Sequence, residues 1–264
     1  MDEPRMTRRD AMLDALGIGV QWLRRDHTAP ATPDMQSTGS PAAAADAAGP
    51  RASAPVATPP TDDEIAAMDW QTLQVAVRTC TRCALCESRT QTVFGVGDSN
   101  PSWLFVGEGP GRNEDREGQP FIGPAGKLLD NMLAAVSLQR HKDVFIANVV
   151  KCRPTDADGK DRAPSSEEVA ACRPYLERQI AVLKPALMVA LGKTAALALL
   201  QRPPSTALSA LRGQVHHYGA LPMVVTYHPA YLLRVLTDKR KTWEDLCLAR
   251  DVHDAAGTNA ATPA

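Results

Sequence analysis

Four cysteines stand where their thiolates could share one metal centre. Cys80 and Cys83 form a C-x2-C pair, and Cys152 and Cys172 follow with 19 residues between them. Two intervening residues let both thiolates of a local pair face the same centre, and four thiolates suit either zinc or an iron–sulfur cluster. Cys86 extends the run to CTRCALC as a possible competitor, and Cys247 lies among apolar neighbours and reads as core. Six cysteines could instead make three disulfides, but only in an oxidising compartment. Arg8-Arg9 hints at a twin-arginine export signal, yet the apolar stretch behind it carries Asp14 and Gln21 and ends in Arg24-Arg25-Asp26. The expectation is therefore a cytoplasmic protein with reduced thiols.

A second set of residues collects at the ends of short apolar runs. These are Gly107-Glu108-Gly109-Pro110-Gly111, Asn148 with the Lys151–Pro154 stretch, Gly192-Lys193, and His228-Pro229-Ala230. The glycine loop is not a dinucleotide fingerprint, since Arg112 stands where the third glycine belongs and Pro110 removes a backbone donor. Ala-Leu-Gly-Lys-Thr at 190–194 lacks the first glycine of a phosphate loop, because residue 187 is Leu. What a Gly-Pro-Gly turn does allow is close approach of a ligand to the backbone.

The elements that must position these residues follow from patterning. Runs at 103–106, 144–149, 187–191 and 223–227 read as buried parallel strands, separated by helices near 124–137, 166–183, 193–201 and 238–255. Alternation of this kind predicts an α/β fold, a three-layer α/β/α sandwich on a four-stranded parallel sheet, with ligand beyond the carboxyl ends of the strands. Ahead of it, residues 1–28 predict an amphipathic helix, with Met12, Leu13, Leu16, Val20 and Leu23 at helical steps. Residues 29–61 hold eleven alanines and seven prolines and predict a disordered linker. The folded domain is expected over 62–255, with a disordered tail at 256–264. A docking peptide for a protein partner is the sharper reading of the N-terminal helix; a dispensable extension is the plainer one.

Charge excludes one class of function. With 29 Lys+Arg against 30 Asp+Glu, the formal net charge is −1, which rules out a protein that holds nucleic acid by bulk charge. A local basic groove remains open. No stretch reaches the roughly 18 apolar residues that span a bilayer.

Four segments, residues 80–90, 107–130, 148–154 and 228–234, occur in the order found in the family 4, iron–sulfur uracil-DNA glycosylases, which the chain resembles over about residues 70–250. The resemblance implies a [4Fe–4S] cluster on Cys80, Cys83, Cys152 and Cys172, with Cys86 a bystander, and a monofunctional enzyme that hydrolyses uracil from single- or double-stranded DNA. It implies a base pocket of Glu108, Gly109, Pro110, Gly111, Phe121, Asn148 and His228. Such an enzyme must extrude the base and read its pairing edge. The Asn148 amide can accept from uracil N3–H and donate to O4, a pattern that cytosine inverts. Phe121 would stack on the ring, and His228 would donate to O2 as negative charge builds on the departing base.

Glu108 and Glu114 are the carboxylates that family analogy offers for positioning water, and Glu114 also as a wall against the thymine methyl; the residues alone do not choose between these roles. Tyr231, Leu232 and Leu233 are wedge candidates, and Arg234, Lys193, Lys151 and Arg153 candidate phosphate contacts. A monomer is expected. The alternatives are a non-catalytic uracil- or DNA-binding module on the same fold, and a uracil-trapping relative, for which residues 155–163 lack a His. A zinc-binding nucleic-acid protein is the fallback if the cluster assignment fails.

Overall fold

The structure, a computed structural model, describes residues 58–260. The expected N-terminal helix and the linker up to residue 57 lie outside the described residues. Described chain begins just ahead of a capping box: Thr61 accepts from the Glu64 backbone N–H and Glu64 reaches back to Thr61, starting helix α1 (Asp62–Ala67). Helices α2 (Trp70–Arg78) and α3 (Leu85–Ser88) follow and carry the first two cysteines between them.

Strands β1 (Val96–Gly97), β2 (Trp103–Gly107), β3 (Val144–Asn148), β4 (Leu187–Leu191), β5 (Val215–Tyr218) and β6 (Leu221–Thr226) form one sheet in the order β1-β3-β2-β4-β6-β5. The four central strands are parallel, as the apolar runs predict. The sheet is six-stranded, not four, because β1 and β5 add antiparallel edges. Neither edge reads as a buried strand: β1 has two residues, and β5 is Val-His-His-Tyr with alternating exposure.

Helices α4 (Arg112–Glu117) and α5 (Pro124–Ala135) connect β2 to β3, α6 (Ser166–Leu183) connects β3 to β4, and α7 (Lys193–Leu200) leaves β4. After β6 come the single turn α8 (Pro229–Leu232) and the long α9 (Lys239–Ala260), which continues past the expected end at 255. Alternate strand residues face opposite layers. Trp103, Phe105, Ile146 and Val189 pack with Leu129 and Leu133 of α5 and Leu246 of α9. Leu104, Val106, Phe145 and Met188 pack with Leu73 and Val77 of α2, Leu176 of α6 and Ala195 of α7. Both sheet faces are thus covered, giving the three layers. Among the described residues no helix is long and apolar enough to cross a membrane.

Register delivers the site. Gly107, the last residue of β2, pairs with Asn148, the last residue of β3, and Leu191 pairs with Thr226 beside it. The chemistry-bearing loops therefore leave one edge of the sheet together, where β3 and β4 lie on either side of β2.

Candidate active site and cysteine pocket

Glu108, Gly109, Pro110, Gly111, Glu114, Phe121, Asn148 and His228 line one pocket. The side chains that the sequence nominates for base binding are therefore brought together, although they come from three strand ends and two helix starts. Its remaining wall is Ala125, Pro154, Asp161, Arg162 and Ala230. Asp161 and Arg162 belong to the 155–163 loop, in which the sequence nominated no site residue.

Asn148 forms the floor. It is 2% exposed, and its Oδ1 is a buried acceptor with no hydrogen-bond partner. Leaving such an atom unpaired costs roughly 1–3 kcal/mol, so it marks a place where a ligand donor belongs. Its backbone carbonyl accepts from Lys151 Nζ at 2.9 Å, which holds the strand end in place. Gly107 lies directly against it: a Cβ there would stand 2.4 Å from Asn148 Oδ1 and 2.6 Å from Phe121 Cζ. The glycine that ends β2 is thus the space into which both side chains fit.

Phe121 sits between α4 and α5 with φ +55, in the left-handed region that bulky residues seldom enter. Three features hold it there. Arg140 donates to the Pro120 and Phe121 carbonyls at 3.0 and 2.9 Å and pairs with Asp130 at 2.8 Å. Gly126 leaves room for the Phe121 carbonyl, which would stand 1.7 Å from a Cβ. Glu114 Oε1 accepts from the Ile122 N–H at 3.3 Å. Arg140 lies outside every matched segment, and only its contacts reveal it.

His228 caps α8, and its Nδ1 accepts from the Ala230 N–H at 3.2 Å. In a neutral ring the proton then resides on Nε2, the nitrogen left to donate. Burial, with a smaller contribution from the Arg234 charge, pushes its pKa down to about 4, so the imidazole is neutral at pH 7. Its ring lies 5.5 Å from that of Phe121. Gly192, at φ +91, leaves space for the His228 Cβ, which would be 2.8 Å from a Cβ at that glycine.

The candidate DNA contacts divide. Leu233 is 44% exposed, but Leu232 is buried in the layer around Leu246, so the expected three-residue wedge narrows. Tyr231 stacks on Tyr227 and donates to Asp238 at 2.7 Å, which commits its hydroxyl. Arg234 is exposed beside the pocket. Lys193 is exposed at the start of α7 but lines a separate groove with Arg173 and Arg202. Lys151 is no phosphate contact, being buried with its ammonium on Asn148 O and Gln179 Oε1. Arg153 is taken up by Asp161, 2.5 Å away. Of the charges that follow, Lys241 pairs with Asp238 and Arg240 with Glu244.

Cys80, Cys83, Cys152 and Cys172 line a second pocket with Arg82, Arg89, Lys151 and Tyr175, and neither Cys86 nor Cys247 reaches it. Donors point at the sulfurs: Arg89 Nη1 at 3.1 Å from Cys152 Sγ, the Lys151 N–H at 3.2 Å from Cys172 Sγ, and the Arg82 N–H at 3.5 Å from Cys80 Sγ. Burial nonetheless pushes the Cys152 thiol up to about 11 and Cys172 to about 12, and raises Cys83. Sulfurs surrounded by N–H donors yet too buried to ionise alone suit thiolates held by a metal. Among the described residues, no three His, Cys, Asp or Glu side chains converge on one ion. The four thiols ring a pocket; they do not meet at a point.

A base-sized pocket at the carboxyl edge of a parallel sheet, with an unpaired amide oxygen on its floor, coincides with what sequence comparison returns. Residues 94–247 match the model of the Uracil DNA glycosylase superfamily, and the chain belongs to that superfamily, on its type-4 branch. The branch follows from its relatives. A Type-4 uracil-DNA glycosylase of Thermotoga maritima is 42% identical over 159 residues, covering 60% of this chain and 80% of the relative. One of Pyrobaculum aerophilum is 38% identical over 187 residues, covering 69% and 93%. A Type-5 uracil-DNA glycosylase of the same organism is more distant, at 29% over 150 residues, covering 52% and 64%.

Proposed function

We propose that the chain excises uracil from DNA by hydrolysing its N-glycosidic bond, releasing free uracil and leaving an abasic site. The observation that carries this reading is the buried, unpartnered Asn148 Oδ1 on the floor of a pocket that also holds Phe121 and His228. Uracil N3–H supplies the missing donor. Cytosine, with an acceptor at N3, leaves the oxygen unpaired, and that is the basis of discrimination.

Departure of the base places negative charge on O2 and O4 and positive charge on the sugar. His228 Nε2–H donates at O2, and a neutral imidazole suffices because the hydrogen bond strengthens as charge develops. Such a preorganised donor contributes about 3–4 kcal/mol. Phe121 stacks on the extruded ring, worth roughly 1–3 kcal/mol. No matched segment places a lysine amine as nucleophile, so the reaction ends at hydrolysis. Exposed Leu233 would fill the gap in the duplex, and exposed Arg234 would meet a phosphate.

Cys80, Cys83, Cys152 and Cys172 would hold a [4Fe–4S] cluster, supported by their all-thiol donor set, the N–H groups aimed at them and their spread around a pocket. Bound there, it would cross-link the α2–α3 region to the segment just after Asn148; base hydrolysis is redox-neutral and asks nothing more of it. A thiolate-held cluster is consistent with a reducing, cytoplasmic setting. The test is release of uracil from single- and double-stranded oligonucleotides containing one deoxyuridine. Asn148→Ala and His228→Ala should each lose most of the activity, and absence of abasic sites with cluster-intact protein overturns the reading.

A further inference from the structure

We propose that Asp161 is the residue that positions the attacking water, an assignment that rests on the uracil-hydrolase reading above. The carboxylate stands on a rigid hairpin at the mouth of the pocket. Thr155 and Asp161 bridge in antiparallel fashion, the Asp156 N–H donates to Lys160 O at 2.9 Å, and Gly159 turns the chain at φ +73. Both ends are clamped. Arg153 donates to Asp161 Oδ1 at 2.6 Å and to Gly159 O at 3.0 Å, while Arg162 grips Glu168 of α6 through two bonds of 2.6 and 2.8 Å.

Orientation follows from which oxygen is engaged. Oδ1 is fixed by Arg153, and Oδ2 turns toward the glycine loop, 3.6 Å from the point where a Cβ would stand on Gly111. Glu114 Oε2 lies 2.9 Å from the same point. The two oxygens are therefore no more than about 6.5 Å apart, and a water bonded to both at about 2.8 Å each requires them to stand within about 5.6 Å. Glu114 already spends its other oxygen on the Ile122 N–H. It holds the Phe121 turn; each carboxylate keeps one oxygen toward Gly111, and Asp161 is the one that stands at the exposed rim of the pocket.

The depth of the pocket places the sugar at this rim. Asn148, at 2% exposure, reads the N3–O4 side of the ring, so N1 and the attached C1′ must trail outward. Outward lies Asp161, whose side chain is 55% exposed while still lining the pocket. As the C1′–N1 bond breaks, its electron pair leaves with uracil. The water oxygen bonds to C1′ and passes a proton to Asp161, which returns it to solvent. Anionic Oδ2 also faces the cationic sugar of the transition state.

Asp161→Asn keeps an acceptor for Arg153 and removes the base. Single-turnover uracil release should slow about 10²-fold, while the Kd for the same oligonucleotide changes less than threefold. Asp156→Asn is the control for hairpin integrity, since Asp156 accepts from the Asp158 and Lys160 N–H groups without reaching the pocket. Its rate should stay within threefold of the parent. Asp161→Asn with an undiminished rate, a loss confined to Kd, or an equal loss in Asp156→Asn would each overturn the assignment. Failure of the parent protein itself to release uracil sinks the functional reading instead, so the two are told apart in one experiment.

Discussion

Gly107→Ala tests whether the pocket works by the fit of two side chains around one missing methyl group. The added Cβ stands 2.4 Å from Asn148 Oδ1 and 2.6 Å from Phe121 Cζ, whereas ordinary contact begins at 3.4 Å. The amide oxygen must withdraw by about 1 Å and the ring by nearly as much. Neither can do so by swinging freely. Asn148 ends a strand whose carbonyl is held by Lys151, and the Phe121 backbone is held by Arg140. Gly107 itself has an ordinary strand φ, so alanine adds no backbone strain. A displacement of about 1 Å at reacting groups costs on the order of 10²-fold in rate, or about 2.7 kcal/mol of transition-state stabilisation. The assay is single-turnover release of uracil from a single-stranded oligonucleotide, with thermal unfolding measured in parallel. A rate within threefold of the parent, in protein of unchanged thermal midpoint, would refute the steric argument.

Three further outcomes are expected. His228 has a folded pKa of about 4 against about 6.5 unfolded, so its contribution to stability is complete above pH 6.5 and is lost as pH falls toward 4. Between pH 7 and 5 the parent should therefore lose about 2 kcal/mol more than His228→Gln in urea unfolding, and equal losses would contradict a buried neutral imidazole. Arg140→Met frees two carbonyls beneath Phe121 and should raise KM about tenfold, the scale of one lost stacking contact, with a smaller effect on kcat; an unaltered KM removes Arg140 from the base site. In anaerobic preparations Cys152→Ser should lose iron, sulfide and visible absorbance while Cys86→Ser keeps them, because only the former lines the thiol pocket; the reverse pattern would reassign the ligands.

The central sheet is legible because its strands are covered on both faces. Each becomes an unbroken apolar run, and the residues that interrupt such runs at their ends are the ones free to do chemistry. Edge strands lack that signature. β5 only half-buries alternate side chains, and its two histidines look solvated, although His216 Nε2 lies 2.7 Å from Leu211 O. Helix α1 escapes notice for a related reason, since its capping box follows directly on a proline-rich tract and its one buried side chain is Ile65.

Charge is read from sequence only as an inventory, and the structure decides where it acts. Lys151, Arg153 and Lys193 all look like phosphate contacts near strand ends, yet one is buried, one is neutralised and one faces another groove. Burial of Lys151 has a clear structural use. Its Nζ holds the Asn148 carbonyl, its N–H holds Cys172 Sγ, and its partner Gln179 donates to Phe94 O. A single residue therefore ties the Asn148 strand end to the thiol pocket and, through Gln179, to the entry of the sheet. Only three residues separate Asn148 on the pocket floor from Cys152 in the thiol pocket, so the two pockets are held close along the chain. By contrast, the hairpin that brings Asp161 to the rim lies beyond that short span. Its place in the pocket is set by Arg153 and Arg162, whose partners are visible only in three dimensions.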